Sequence, residues 1–324
     1  MEQRGFRKEE FMPRVDETPE ELRPYIFHGV DLQWKKNDKN AVGPCPFCGG
    51  ENTFNVKIET SEWKCWSCSN GNKHTFVRKL LETGRSQTTD REYEVLREER
   101  GFVTVELLKE FGFVKSPLTG DWLIPAGKNK EGEPMTAYRW VYGKVLPTPT
   151  MGAHLFGMVS KLKEAESVFI CEGPWDAYAL FEMFSQCRYE NDSFLESDQS
   201  TFINEESICV LGVPGANNFK EKWSKWFSGK IVTLMLDNDH PRNRCKDCKK
   251  TYSALTEESC PHCGCVEVTG TGVPPAGIMG VKKLTSILSG SDAPPEEIYY
   301  LQWGDEGYDK DLVSGTDVRD FLNG

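Results

Sequence analysis

The chain has no apolar run approaching the ~20 residues needed to span a bilayer, and its opening residues, MEQRGFRKEEF, carry no hydrophobic signal core. The expectation is therefore a cytoplasmic protein with no membrane partner. A basic excess is also missing: the net charge is −11, so wholesale electrostatic binding of a polyanion is excluded and any contact with one must be local. There is no G-x4-G-K-[ST] phosphate loop, so the chain carries no nucleotide-driven motor of its own. No repeat of roughly 20 to 50 residues is evident, which excludes a solenoid.

Cysteine, by contrast, is plentiful. Of twelve cysteines, eight fall into C-x2-C pairs, and in a reducing compartment such pairs point to metal rather than to disulfides. Cys45-Pro-Phe-Cys48 and Cys65-Trp-Ser-Cys68 stand 16 residues apart and match the two knuckles of a zinc ribbon. Four thiolates suit tetrahedral zinc and close the site, so the metal is expected to be structural. Between the knuckles, residues 52–58 alternate apolar and polar as a half-buried strand does. Trp63, Lys64 and Trp66 on the returning strand have two readings: they stack unpaired bases while Lys57, Lys64 or Lys73 meets phosphate, or the aromatics are the core of a small module. A second quartet, Cys245-Lys-Asp-Cys248 and Cys260-Pro-His-Cys263, has 11 residues between its pairs, with Cys265 or His262 as alternatives for one ligand. Cys171 and Cys209 sit inside apolar runs and read as small buried residues.

With 324 residues, 38% of them apolar, the chain can form two or three compact units. Residues 1 to about 40 are charged and weakly patterned. The cysteine-framed module that follows ends in HTFVRKLLE, which has helical spacing, and a helical segment over about 91–111 leads into a Gly-, Pro- and aromatic-rich region of short strands reaching about 157. From Ser167 the pattern becomes strand, turn, helix: SVFIC, SICVLG, IVTLML and EIYYLQW are continuous apolar strands, alternating with helices, and they imply an α/β unit with a parallel sheet covered on both faces. The acidic stretch from about 191 to 206 reads as a surface loop. Glu172 follows the first of these strands and Asp237-Asn238-Asp239 the third. Because ligands gather outside the carboxyl ends of parallel strands, these carboxylates are expected at one edge. Oxygen-only ligands suit magnesium or manganese and metal-assisted phosphoryl transfer, although a lone Asp-x-Asp is equally a turn or cap.

The run Ile170-Cys171-Glu172-Gly173-Pro174-Trp175-Asp176-Ala177, followed by Leu236-Asp237-Asn238-Asp239, resembles the TOPRIM domain shared by DnaG-type primases, phage primase-helicases, type IA and II topoisomerases, RecR and some nucleases. The resemblance implies that Glu172, Asp237 and Asp239 are catalytic and hold the divalent ions, and that Gly212 and the turn 214–217, with Asn217, line the site. It also implies a later acidic motif, best matched by Gly315-Thr316-Asp317-Val318-Arg319-Asp320, with Asp317 and Asp320 as further ligands and Asp309-Lys310-Asp311 as competitor. A zinc module ahead of such a sheet is the layout of the primases. The four-cysteine first ribbon leans toward the phage lineage and hence a bacterial or phage-infected cell. Topoisomerases need a tyrosine-bearing domain for which there is no room.

The expected domains are a zinc-binding domain over 1–81 (ribbon about 40–81), the N-terminal subdomain of a polymerase core over 82–165, and a TOPRIM-like catalytic domain over 166–324. Relatives follow Asp-x-Asp directly with Ala-Gly, but here about 36 residues separate Asp239 from Ala276-Gly277. The second ribbon is thus read as an insertion over about 240–275. Arg242 and Arg244 begin a stretch of five cations that either guides nucleic acid or is a solvated face, and Arg139 and Lys144 either face phosphates or are surface charge. The function implied is a DNA primase joining ribonucleoside triphosphates on a single-stranded DNA template beside a separate replicative helicase. The alternatives are a TOPRIM nuclease and a non-catalytic zinc adaptor that holds single-stranded DNA.

Overall fold

The structure of the protein, a computed structural model, describes residues 18–101, 103–191, 207–269, 273–305 and 308–323, without the side chains of 186–191 and 321–323. The acidic loop expected over about 191–206 lies, beyond Asn191, outside the described residues. The chain forms two compact units, one built from residues up to Tyr93 together with Leu108–His154, the other from Glu94–Leu107 together with Leu155 onward.

In the first unit, helix α1 (Arg23–Phe27) precedes a four-stranded antiparallel sheet of β1 (Asn40–Gly43), β2 (Phe54–Lys57), β3 (Trp63–Cys65) and β4 (Asn70–Gly71). The weakly patterned lead-in is structural here. Leu22 and Tyr25 are fully buried, the Tyr25 ring packs on Phe54 and Phe76, and its hydroxyl donates to the Ser61 carbonyl at 2.6 Å. A five-residue helix is too short to display a period, which is why the pattern is faint.

Helix α2 (Lys73–Gln87) starts where the sequence caps it. The Asn72 side chain accepts from the His74 and Thr75 amides while the Thr75 hydroxyl accepts from the Asn72 amide. Its buried face, Phe76, Val77, Leu80 and Leu81, joins Phe54, Val56 and Trp63 in one core, each large side chain contributing roughly 1.5–3 kcal/mol by burial. Two helices follow, α3 (Asp90–Arg100) and α4 (Val105–Glu110), where the sequence suggests a single helix over 91–111. Gly101 breaks it with φ 78°, a left-handed conformation that ends helices. The strands β5 (Val114–Lys115), β6 (Trp122–Lys128), β7 (Pro134–Val141) and β8 (Lys144–Pro147) form a second antiparallel sheet.

The second unit carries β9 (Phe156–Gly157), β10 (Ser167–Cys171), α5 (Pro174–Asn191), β11 (Ile208–Gly212) and β12 (Ile231–Met235). After them come the small strands β13 (Arg242–Arg244) and β14 (Thr251–Ser253), then α6 (Ala276–Ser289), β15 (Glu297–Tyr300) and α7 (Val318–Asn323). The main sheet has the order β15-β12-β10-β11-β9. β15, β12, β10 and β11 are parallel, as the continuous apolar runs imply, whereas β9 at the edge is antiparallel. Every residue of β11 is buried, and Cys171 and Cys209 are fully buried. Residues 94–107 belong here because Arg100 lies over the Trp175 ring at 4.6 Å and the Thr104 hydroxyl donates to Glu182 at 3.0 Å. Among the described residues no helix is long and apolar enough to cross a membrane.

Candidate functional site

Parallel register aligns the strand ends: Cys171 stands opposite Gly212 on one side and Met235 on the other. Glu172 leaves β10 one residue past that level and Asp237 leaves β12 two residues past it, at the edge where an open parallel sheet collects ligands. The loop Asp309–Asp317 is drawn to the same edge by Asn238, which is fully buried. Its amide group donates to the Asp309 carbonyl at 2.9 Å and accepts from the Asp309 amide at 2.8 Å, while its backbone pairs with Thr316 and Gly315. His240 adds a bond to the Asp309 carbonyl. The side chain of Asp309 closes its own turn on the Asp311 amide, and Asp311 is exposed; Asp317, not this pair, is the buried member of the loop, at 6% exposure.

Five carboxylates share this edge and feel one another. Burial pushes Asp237 up to about 10, with Asp176, Glu172, Asp317 and Asp239 adding repulsion. Burial also raises Glu172, helped by the charge of Asp239 and opposed by backbone hydrogen bonds from Ala216 and Asp237. Asp176, 6% exposed, is pushed well above the usual range by burial and by its hydrogen-bonded neighbour Asp317. Asp317 is raised chiefly by burial and pairs with Arg319 at 2.7 Å. Asp176 lies in the run that carries the resemblance but is given no role there, because in the first turn of α5 an acid is ordinary dipole compensation. Asp320 is exposed, and it exchanges backbone-to-carboxylate bonds with Asp317 across the first turn of α7.

Asp239 and Ala276-Gly277, separated by 36 residues in sequence, are neighbours in three dimensions. Asp239 accepts the Gly277 amide at 3.0 Å, so Ala276-Gly277 opens α6 against the acids although the insert lies between them in sequence. A Cβ on Gly277 would stand 2.1 Å from the Asp237 carbonyl oxygen; glycine is required for this approach of helix to strand end. Asn217, in the turn after β11, is exposed and its carbonyl accepts from Lys283.

The donor set fits a divalent cation held through oxygen. Glu172 Oε2 is buried with no hydrogen-bond partner, and with Asp176 buried and Glu172 and Asp237 half-buried beside it, adjacent negative charges are disfavoured without a cation. Among the described residues, the groups of three or more His, Cys, Asp or Glu atoms within 4.8 Å of one another are the two cysteine quartets, so the carboxylates stand further apart than a closed cage. That spacing is natural for like charges turned onto separate partners, and magnesium, which keeps several waters, does not need an all-protein cage.

Both thiol quartets are assembled. Cys45 and Cys68 sulfurs lie 3.6 Å apart, as do Cys48 and Cys65; in the second ribbon Cys245–Cys263 and Cys248–Cys260 are at 3.5 Å. A tetrahedron with ~2.3 Å zinc–sulfur bonds has edges of ~3.8 Å, far from the ~2.05 Å of a disulfide. The four thiols share their protons: at Cys65 burial is outweighed by bonds to Thr53, from the Ser67 amide and with Cys45 and Cys68, which bring it to about 6, while burial pushes Cys45 and Cys68 up, so the quartet holds several thiolates together only around a cation. Cys265 packs beside the second quartet and stands outside it, as does His262.

The two readings of the first ribbon's aromatics divide between residues: Trp63 is core at 2% exposure, while Trp66 is 69% exposed with the Lys64 ammonium 3.9 Å from its ring centroid. Lys144 is exposed at the start of β8. Arg139 is committed internally. It is 9% exposed, its guanidinium pairs with Asp121 and the Phe27 carbonyl, and it lies over the Phe27 ring at 4.9 Å. Arg242 and Arg244 are exposed on β13.

No family model matches the chain, and no protein of curated function does. Among solved structures it is similar to the primase fragment of the bacteriophage T7 primase-helicase protein, over 90% of this chain and 95% of that one, at 12% identity and a TM-score of 0.40. It is also similar to a chain in the structure of the bacteriophage T7 lagging-strand DNA polymerase with primase domains bound to an RNA/DNA hybrid and dTTP, over 61% of this chain and 80% of that one, at 16% identity and a TM-score of 0.30.

The raised carboxylates set a pH dependence. In the folded state they hold protons that the unfolded chain, with carboxyl pKa values near ~4, has already released. Their contribution to stability is therefore complete below about pH 4 and is lost as pH rises toward the about 10 of Asp237. The melting temperature of metal-free protein is expected to fall between about pH 6 and pH 9, and millimolar magnesium to restore more of it at the higher pH. Melting curves insensitive to both variables would contradict this electrostatic picture.

Proposed function

We propose that this chain is a DNA primase, a nucleotidyltransferase that makes short RNA primers on single-stranded DNA, with a TOPRIM catalytic domain over 166–324, a polymerase subdomain over 82–165 and a zinc-binding domain over 1–81. The observation that carries the reading is the meeting of Glu172, Asp176, Asp237, Asp239 and Asp317 at the carboxyl edge of a parallel sheet, with Glu172 Oε2 buried and unpartnered. The TOPRIM motifs supply the chemistry to expect of such an edge. Magnesium or manganese, held by Glu172, Asp237 and Asp239 with Asp317 adjoining, would supply Lewis-acid stabilisation of phosphoryl oxygens.

The chain's own residues do the rest. Asp239, fixed by the Gly277 amide, holds α6 and the strand end together. Asp317, fixed by Arg319 and Asp320, presents its carboxylate to Asp176 and can keep a proton between them. Asp320 is assigned to capping, through the bonds it exchanges with Asp317. Lys64 and Trp66 suit an unpaired base and its phosphate, and the two zinc ions hold the ribbons. Arg139 is assigned to bracing its own sheet. A separate replicative helicase and a cytoplasmic location complete the proposal.

The test is incubation with single-stranded DNA and labelled ribonucleoside triphosphates. Template-dependent oligomers of a few nucleotides are the expected product. Shortened DNA without synthesis would replace the primase with a nuclease, and binding without either reaction would leave an adaptor.

A further inference from the structure

The inserted ribbon presents a positive edge that the acid site does not use. Residues 242–246, which follow Asp239, run beside residues 267–269 and Val273, which precede Gly277, as a neck. Arg242 exchanges backbone hydrogen bonds with Val273, the Thr269 amide donates to the Arg244 carbonyl at 2.7 Å, and the Lys246 amide donates to the Glu267 carbonyl at 3.0 Å. β14 pairs with the same strand on its other side, so β13 is held from both flanks and its side chains have fixed directions. Arg242 and Arg244 alternate with the half-buried Asn243 and therefore share the exposed face. Lys249 and Lys250, in the turn to β14, are exposed as well.

The charges are not cancelled locally. Lys246 is paired with Glu267, but Arg242 and Lys250 have no acidic partner among the described residues, and the Arg244 guanidinium donates only to the Lys249 carbonyl, at 3.2 Å. In a chain of net charge −11, an edge of unpaired guanidinium groups attached at a carboxylate cluster suits a ligand that is itself a string of anions. Arginine binds phosphate in a bidentate fork, which lysine cannot.

We propose that the Arg242–Arg244 edge of the inserted ribbon binds the phosphodiester backbone of a single nucleic-acid strand running out from the acid site. At ~3.3 Å per residue of extended chain, Arg242 lies within ~10 Å of Asp239 along the neck and Arg244 within ~17 Å. The register relative to a reaction centre rests on the proposed function; the affinity for phosphate does not, so the two fail separately.

The experiment uses the full zinc-loaded chain and fluorescence anisotropy with a labelled oligothymidylate of about 20 nucleotides and an RNA of equal length, over a salt series. R242E/R244E is compared with K222E/K225E, which alters two exposed lysines elsewhere on the same unit and changes net charge equally. R242E/R244E is expected to weaken binding at least about tenfold and to lower the slope of log affinity against log salt by about 1.4, ~0.7 for each single-strand phosphate that is no longer neutralised, while K222E/K225E has far less effect. Loss on DNA alone identifies the strand as template, loss on RNA alone identifies it as product, and either supports the proposal. If R242E/R244E loses zinc, R242Q/R244Q takes its place with the same fall in slope expected. Unchanged affinity and slope in a variant that retains two zinc ions overturns the proposal. Absence of primer synthesis by the unaltered protein, with the binding difference intact, would remove the primase reading and leave this edge standing.

Discussion

Asp237→Asn should reduce primer synthesis by at least about 10³-fold while leaving single-stranded DNA binding within about twofold. The carboxylate removed faces four neighbouring acids and is pushed up to about 10 by burial and by their charge. In such a place an amide cannot supply the charge that holds a divalent ion, and the several kcal/mol of transition-state stabilisation attributable to that ion correspond, at about 1.4 kcal/mol per factor of ten, to three or more orders of magnitude. The same substitution relieves like-charge repulsion. The metal-free variant should therefore melt above the unaltered protein near pH 8, and its melting temperature should depend less on pH. Loss of synthesis with a higher melting temperature distinguishes a missing metal ligand from a damaged fold. An Asp237→Asn protein with undiminished synthesis would end the catalytic assignment, and one that melts lower would show that the carboxylate is structural.

Cys65→Ser should lower zinc content from two ions per chain to one and abolish cooperative folding of the ribbon formed by β1–β4. Cys65 is 4% exposed and belongs to the same core as Phe54, Trp63 and Phe76, so the metal and the apolar packing are one cooperative structure. Structural zinc contributes roughly 10–16 kcal/mol in small ribbons, as much as the whole stability of a typical domain, ~5–15 kcal/mol. Cys260→Ser should also remove one zinc but leave the acid-bearing sheet folded, because the second ribbon's core is confined to Tyr252 and its own cysteines. Cys265→Ser should retain both ions. Metal analysis with thermal melts checks all three, and a Cys65→Ser chain that still holds two zinc ions would remove the first quartet.

Elements whose signal is contained in a few neighbouring residues were legible without coordinates. The C-x2-C pairs determined both thiol quartets, because the ligand pairs are local and a tetrahedral ion tolerates few alternatives. The mostly apolar runs SVFIC, SICVLG and IVTLML pointed to parallel strands, which is what they form, but full cover on both faces holds only for β11: β12 alternates buried and half-buried positions and the edge strand β15 is largely exposed. Helix α2 was legible in the helical spacing of HTFVRKLLE, though its Asn72 cap was read only from the structure. Only the tertiary structure decided the rest: that Leu22 and Tyr25 complete the ribbon core, that Trp63 faces inward and Trp66 outward, that Arg139 is occupied by Asp121, and that Asp176 stands among the acids beside Asp317. It also decided that Asp239 and Gly277 are hydrogen-bonded neighbours despite the inserted ribbon, and that Asn238 brings the Asp317 loop to them. In each case the deciding interaction joins residues far apart in sequence, or depends on which face of an element is covered, and neither is written in local composition or spacing.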